Sequence, residues 1–136
     1  MEKVFQLHIY AAERCFYDGG CVSLTLPLPD GQLGILAGRL PLAAAVVPGK
    51  LTCRTPDGKE LVAAVGGGFA RFAHDDALVL LESAETPKEI DAPRAAQAAE
   101  RAKAAVQRSQ TPQQTQQAKA DLARANNRLR LAAQKD

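Results

Sequence analysis

Glu85-Thr86-Pro87-Lys88-Glu89-Ile90-Asp91-Ala92-Pro93-Arg94-Ala95 divides the chain into two kinds of sequence. Before it, short apolar runs alternate with glycine and proline. After it, alanine recurs at helical spacing and no aromatic residue occurs. The stretch holds two prolines, charges of both signs and one β-branched apolar residue, Ile90. Such a composition suits a hinge, and equally a ligand site at the start of a helix.

Toward the N-terminus the period is two. Over residues 4–10, Phe5, Leu7 and Ile9 fall on one face and Gln6 and His8 on the other, as in a half-buried strand. Cys21 to Leu26 repeats the pattern with Val22, Leu24 and Leu26 inward, and Pro27, Pro29 and Asp30-Gly31 are expected to stop it. Leu33 to Leu36 and Leu42 to Val47 are further short runs, closed by Gly38 with Pro41 and by Pro48-Gly49. Leu51 and Cys53 alternate with polar neighbours before Thr55-Pro56-Asp57-Gly58, which has turn chemistry and predicts a hairpin over about 50–65. Gly66-Gly67-Gly68 lacks the Lys-Ser/Thr of a phosphate loop and reads as a bulge or a close backbone approach. His74-Asp75-Asp76 reads as a turn into Ala77 to Leu81. Regular short strands of this kind predict an all-β sandwich or barrel. Phe5, Tyr10, Phe16, Tyr17, Phe69 and Phe72 are all the aromatics, so the large buried areas lie in this half.

Toward the C-terminus the period becomes helical. Ala95, Ala99, Ala102 and Val106 form one heptad seam, and Ala118, Leu122, Ala125, Leu129 and Ala132 another. Ser109 to Gln113 breaks the helix, with Pro112 suited to a first helical turn, so the two helices run antiparallel. Asp91 before Pro93 fits an N-terminal cap at the positive end of the dipole. Alanine seams bury little surface, at roughly 25 cal/mol per Å², against about 1–2 kcal/mol per residue of backbone ordering. The hairpin is therefore expected to be marginal alone and to depend on the β part, a ligand or another protein, as a conformational switch requires.

Charge and chemistry narrow the function. The net charge is +2, divided as −2 over residues 1–84 and +4 over residues 85–136. That tail suits an acidic partner or a polyphosphate, and its charge is too dispersed for a nucleic-acid stripe. Cys15, Cys21 and Cys53 lack metal spacing and read as free thiols in a reducing compartment. His8 and His74 belong to no ligand or catalytic pattern, and no nucleophile motif occurs. No apolar run approaches membrane length and no signal peptide is visible, so the chain is expected to be soluble and cytosolic, held at any membrane by another protein. Asp91 and Arg94 share a helix face, Arg94, Arg101 and Arg108 form a stripe, and Arg124 and Arg128 lie four apart. Antiparallel packing would bring Arg94 and Arg101 toward Arg128 and Arg124, and clustered guanidiniums match phosphate oxygens. On spacing alone a solvated cationic face is the commoner arrangement.

Gly31-Gln32-Leu33-Gly34-Ile35-Leu36-Ala37-Gly38-Arg39-Leu40-Pro41-Leu42, Val65-Gly66-Gly67-Gly68-Phe69, Ala84-Glu85, Ile90-Asp91-Ala92-Pro93-Arg94-Ala95 and Arg124-Ala125-Asn126-Asn127-Arg128-Leu129 resemble, in order over essentially the whole chain, the epsilon subunit of bacterial F-type ATP synthase. The resemblance implies an α+β fold: a ten-stranded β-sandwich over residues 1–86, then a regulatory antiparallel two-helix hairpin over 87–136. It implies a non-catalytic rotor component, peripheral on the cytoplasmic face of the plasma membrane, that couples ion flow to rotation. The sandwich would grip the gamma subunit and rest on the c-ring. The helices would form a hairpin against the sandwich, or extend along gamma into the head of alpha and beta subunits and obstruct ATP hydrolysis. It also implies that ATP, with magnesium, binds the folded hairpin as a regulatory ligand through Ile90, Asp91, Arg94 and Ala95, completed by Arg124 and Arg128 and supported by Glu85 and Arg101. No catalytic cofactor or metal site is implied. The family usually carries Pro-Gly-His-Ala-Pro where this chain has Ala37-Gly38-Arg39-Leu40-Pro41, and commonly Glu at Gln32. Gln32, Arg39, Leu40 and Pro41 would face the c-ring, and Arg39 removes any pH sensitivity there. The alternatives are a nucleotide-sensing module whose ATP site is its main role, and an epsilon-like relic without inhibitory function.

Overall fold

The computed structural model describes residues 3–133. Ten strands form two sheets and two helices follow. The chain divides between Ala84 and Glu85 into two compact units.

The strands are β1 (Phe5–Ala11), β2 (Arg14–Cys21), β3 (Ser23–Leu28), β4 (Gly31–Leu36), β5 (Leu42–Val46), β6 (Gly49–Arg54), β7 (Glu60–Val65), β8 (Gly68–Ala73), β9 (Asp76–Leu81) and β10 (Ala84–Glu85). One sheet has the order β2-β1-β9-β8-β5 and the other β10-β7-β6-β3-β4. Strand β1 pairs with β9 in parallel, and every other recorded pairing is antiparallel. The expected alternation is realised: Phe5, Leu7 and Ile9 are buried with Leu24, Leu26, Leu51, Phe72 and Val79 in one core between the sheets. Phe5 meets Phe72 edge to face, centroids 5.4 Å apart.

Two local readings change, and one strand is new. The strand expected over Cys21 to Leu26 is two strands of different sheets, broken at Val22, whose N–H is taken by the Arg54 carbonyl at 2.8 Å. The stop expected over Pro27, Pro29 and Asp30-Gly31 falls at Pro29, and Pro27 itself lies within the strand. In a strand the N and C=O of one residue point the same way, and the Pro27 carbonyl accepts from Val47 N–H at 3.0 Å. The proline nitrogen thus lies off the β4 ladder, and β3 continues to Leu28 with Pro27 opposite Gln32. Strand β2 shows no apolar alternation in sequence. As an edge strand it is held by its register with β1, which shifts between Ile9 and Tyr10.

The glycine run is a close backbone approach. Gly66 N–H donates to the Ser83 carbonyl at 3.0 Å, and Glu82 N–H donates to the Gly67 carbonyl at 2.8 Å. A Cβ on Gly68 would overlap the Leu80 carbonyl oxygen outright. His74 and Asp75 both have positive φ, 52° and 55°, as a two-residue hairpin turn of the I′ kind requires. Asp75 offsets that strain by accepting Gln6 N–H on its carbonyl and Gly38 N–H on its carboxylate at 2.7 Å.

In the second unit α1 spans Ala92–Arg108 and α2 spans Pro112–Ala132. Ala95, Ala99 and Ala102 of α1 and Ala118, Ala125 and Ala132 of α2 are buried, as the seams require. Val106, Leu122 and Leu129 are only half-buried, whereas Asn127 and Leu131, off the expected seam, are buried. The polar connection has a physical account that its sequence did not reveal. Thr111 caps α2 by accepting Gln114 N–H, the Gln114 amide oxygen accepts Gln110 N–H, and the hydroxyls of Ser109 and Thr115 meet at 2.6 Å.

Candidate anion-binding groove and contact surfaces

The Glu85–Ala95 stretch is ordered residue by residue. Glu85 ends β10, and Pro87–Glu89 make one 3₁₀ turn alongside α2. Glu89 reaches back to accept Thr86 N–H at 2.9 Å. Ile90 is buried in extended conformation, and Asp91 is the cap of α1, accepting Arg94 N–H at 3.1 Å. Pro93 sits in the first turn, where a missing N–H costs nothing.

Between α1 and α2 runs a groove of about 390 Å³. Its floor is alanine, from Ala98 and Ala102 on one side and Ala125 on the other. Its rim carries Arg101, Arg124, Arg128 and Asp121. The Arg124 guanidinium donates to Asp121 at 2.9 Å, and Arg128 Nε donates to Glu85 at 2.5 Å. Three guanidiniums against two carboxylates leave one net positive charge, and among the described residues Arg101 has no ion-pair partner. The arrangement is suited to bidentate capture of an anion, with an apolar floor for a flat ring.

The other expected site residues lie apart from the rim. Arg94 is exposed at the first turn of α1, seven residues before Arg101 and so about 10 Å along the axis. Asp91 is engaged in capping, and Ala95 and Ile90 are buried. In the first unit Gln32 is exposed on β4, and Arg39, Leu40 and Pro41 are exposed on the β4–β5 connection, Leu40 to 82%. Arg39 N–H is held by the Leu36 carbonyl at 3.3 Å.

One surface is not visible in the sequence. Tyr10 of β1 stands opposite Leu80 of β9, Leu80 opposite Phe69 of β8, and Phe69 opposite Ala45 of β5. All four are exposed and form one apolar row across the outer face of a sheet. Leu78, Ala73 and Ala43 share that outer face, and only the register shows which of its apolar residues stand in one row.

The same face holds His8 between two carboxylates, Nδ1 to Asp18 and Nε2 to Asp76, each at 3.0 Å. The Asp76 hydrogen bond, with Asp18 assisting, raises the His8 pKa above 6.5 despite some desolvation. The raised pKa contributes stability that is fully present below pH 6.5 and is lost as pH climbs through the folded value. An NMR titration of the imidazole should give a pKa above that of a free histidine, and Asp76→Asn should lower it. Equal values in both proteins would remove Asp76 as the cause.

Two adjoining family descriptions match the chain. The ATP synthase delta/epsilon chain β-sandwich domain matches residues 4–87, and the ATP synthase delta/epsilon chain long alpha-helix domain matches residues 88–133. The chain is 35% identical over 128 residues to the ATP synthase epsilon chain of Caldicellulosiruptor bescii, covering 94% of this chain and 93% of that one. It is 41% identical over 104 residues to the ATP synthase epsilon chain of Streptomyces avermitilis, covering 76% and 84%. In fold it is similar to a chain of the Euglena gracilis mitochondrial ATP synthase, with a TM-score of 0.78 at 23% identity, covering 95% of this chain and 80% of that one. A chain from the central stalk and c-ring structure of the Tetrahymena thermophila mitochondrial enzyme gives a TM-score of 0.69 at 14% identity, covering 95% and 96%.

Proposed function

This chain belongs to the ATP synthase delta/epsilon chain family, as an epsilon subunit, and we propose that it is a non-catalytic rotor part of the central stalk whose helical hairpin restrains ATP hydrolysis and binds ATP when closed. The observation that carries the regulatory part is the groove, where Arg101 from α1 and Arg124 and Arg128 from α2 share one rim. A nucleotide's phosphates would lie across these guanidiniums and its base over the alanine floor, with magnesium bound alongside the phosphates. Glu85 and Asp121 orient Arg128 and Arg124 and lower their attraction for phosphate. Asp91, by capping α1, fixes where that helix begins, and Arg94 extends the positive face beyond the rim.

The two conformations are a hairpin closed on itself and an extended pair of helices that reaches the catalytic head. Alanine seams make the closed state weak enough to open, and a ligand bound only to the closed state stabilises it by mass action. The positive C-terminal unit suits an acidic surface on the beta subunit. For the first unit, the row Tyr10, Leu80, Phe69 and Ala45 supports docking to the gamma subunit, and the exposed Leu40 beside Gln32, Arg39 and Pro41 supports contact with the c-ring. No described helix is long and apolar enough to cross a membrane, and attachment on the cytoplasmic face follows from these partners.

Truncation after Pro87 tests the inhibitory role. The assembled complex without residues 88–136 should hydrolyse ATP severalfold faster, with assembly and ATP-driven pumping retained. An unchanged hydrolysis rate in a fully assembled complex would remove the inhibitory role from this chain.

A further inference from the structure

The two buried cysteines belong to different sheets. Cys21 ends β2, opposite Phe5 of β1, while Cys53 lies in β6, opposite Leu24 and Leu61. Both are fully buried, and their sulfurs stand 3.0 Å apart as free thiols. The break at Val22 creates this meeting, because it leaves Cys21 on one sheet while the chain passes to the other. A disulfide needs sulfurs at about 2.05 Å, so closing the bond asks for roughly 1 Å of approach between side chains already in contact.

We propose that Cys21 and Cys53 are a redox modification site, converted by a small peroxide oxidant into a disulfide that staples the two sheets of the sandwich. The chemistry takes two steps. The Cys21 thiolate attacks one peroxide oxygen, the O–O bond breaks, hydroxide leaves, and sulfur is oxidised to a sulfenic acid. The Cys53 thiol then attacks that sulfur, the S–S bond forms, the S–O bond breaks, and its hydroxyl leaves as water with the thiol proton. Two thiols and one hydrogen peroxide thus give one disulfide and two waters.

The order of attack follows from the environment. Cys53 hydrogen-bonds to the Cys21 sulfur, which holds the Cys21 thiol below its usual range, while that bond and burial push Cys53 up. β2 is an edge strand paired on one side only, and its Gly19-Gly20 sequence precedes Cys21, so local opening of this edge would expose the thiols. Both thiols are fully buried, so the oxidant expected is a small peroxide rather than a bulky disulfide. The closed loop would enclose β3, β4 and β5, and cross-linking it removes freedom from the unfolded chain.

The test uses the full chain carrying Cys15→Ala, which removes the exposed third thiol. The folded protein is treated with hydrogen peroxide at neutral pH, then denatured, alkylated and digested. The expected product loses both thiols together, yields a peptide joining Cys21 to Cys53, and is restored by dithiothreitol. It should also melt at a higher temperature than the reduced protein. Two thiols still fully alkylated after prolonged treatment would overturn the proposal, as would separate over-oxidation without the cross-linked peptide. A cross-link formed only in denatured protein would overturn it too, because the staple requires the folded juxtaposition.

Discussion

Gly68→Ala is expected to destabilise the N-terminal unit by about 3 kcal/mol or more, which for a unit of this size lowers its melting temperature by roughly 15 °C. The added Cβ would overlap the Leu80 carbonyl oxygen and lie 2.9 Å from both the Leu80 carbonyl carbon and Leu81 Cα. These are backbone atoms of β9, the strand that joins β8 to β1 in the sheet, so neither neighbour can turn aside as a flexible side chain would. Relief requires β8 to part from β9 where Gly68 pairs with Leu81, next to the buried Val79 and Ala70. Gly34→Ala is the matched control: it lies on β4, and its Cβ would meet nothing within 4 Å. Thermal unfolding of both variants checks the account. Similar melting temperatures would show that the glycine run is not a packing requirement.

Arg128→Ala should weaken ATP binding to the isolated chain by about 10–100-fold, the equivalent of one or two charge-assisted hydrogen bonds. The effect has two sources. The guanidinium is removed from the rim, and Glu85 loses its 2.5 Å partner, leaving a carboxylate to repel the phosphates. The second source can be isolated. Glu85→Gln in the otherwise unchanged chain should tighten ATP binding, because Arg128 then points its full charge at the ligand. Calorimetric titration with ATP and magnesium reads both, and far-ultraviolet circular dichroism shows whether the helices persist. ATP affinity that ignores Arg128→Ala in a helical protein would rule out the groove as the nucleotide site. Added salt should weaken binding throughout, since the rim is open to solvent and its charges are screened.

The two predictions draw on different kinds of information. The glycine run is legible as a place where side chains do not fit, because three successive glycines weaken a strand unless another backbone must pass close by. Which of the three is critical is not legible. That depends on the approach of Leu80, contributed by the far arm of a hairpin. The arginines are legible as a set, since helical period and a short connection fix which ends of α1 and α2 are neighbours. Their partners are less so. Asp121 is three residues from Arg124 and could be read from local spacing, whereas Glu85 reaches Arg128 across 43 residues of sequence separation.

Short-range physics makes part of this protein readable from its residues alone: the alternation of β1, the turns at Thr55–Gly58 and His74–Asp75, the cap at Asp91, and the change of period at Glu85–Ala95. Each depends on residues within a few positions of one another, so propensity and pattern suffice. The remaining features come from pairing at long range. Pairing assigned β2 to an edge with no pattern of its own, carried β3 through Pro27, and brought Cys21 against Cys53. It also aligned Tyr10, Leu80, Phe69 and Ala45 into one row. These features arise from register between strands distant in sequence. A one-residue slip would send each side chain to the opposite face, and nothing local to any one strand fixes that choice.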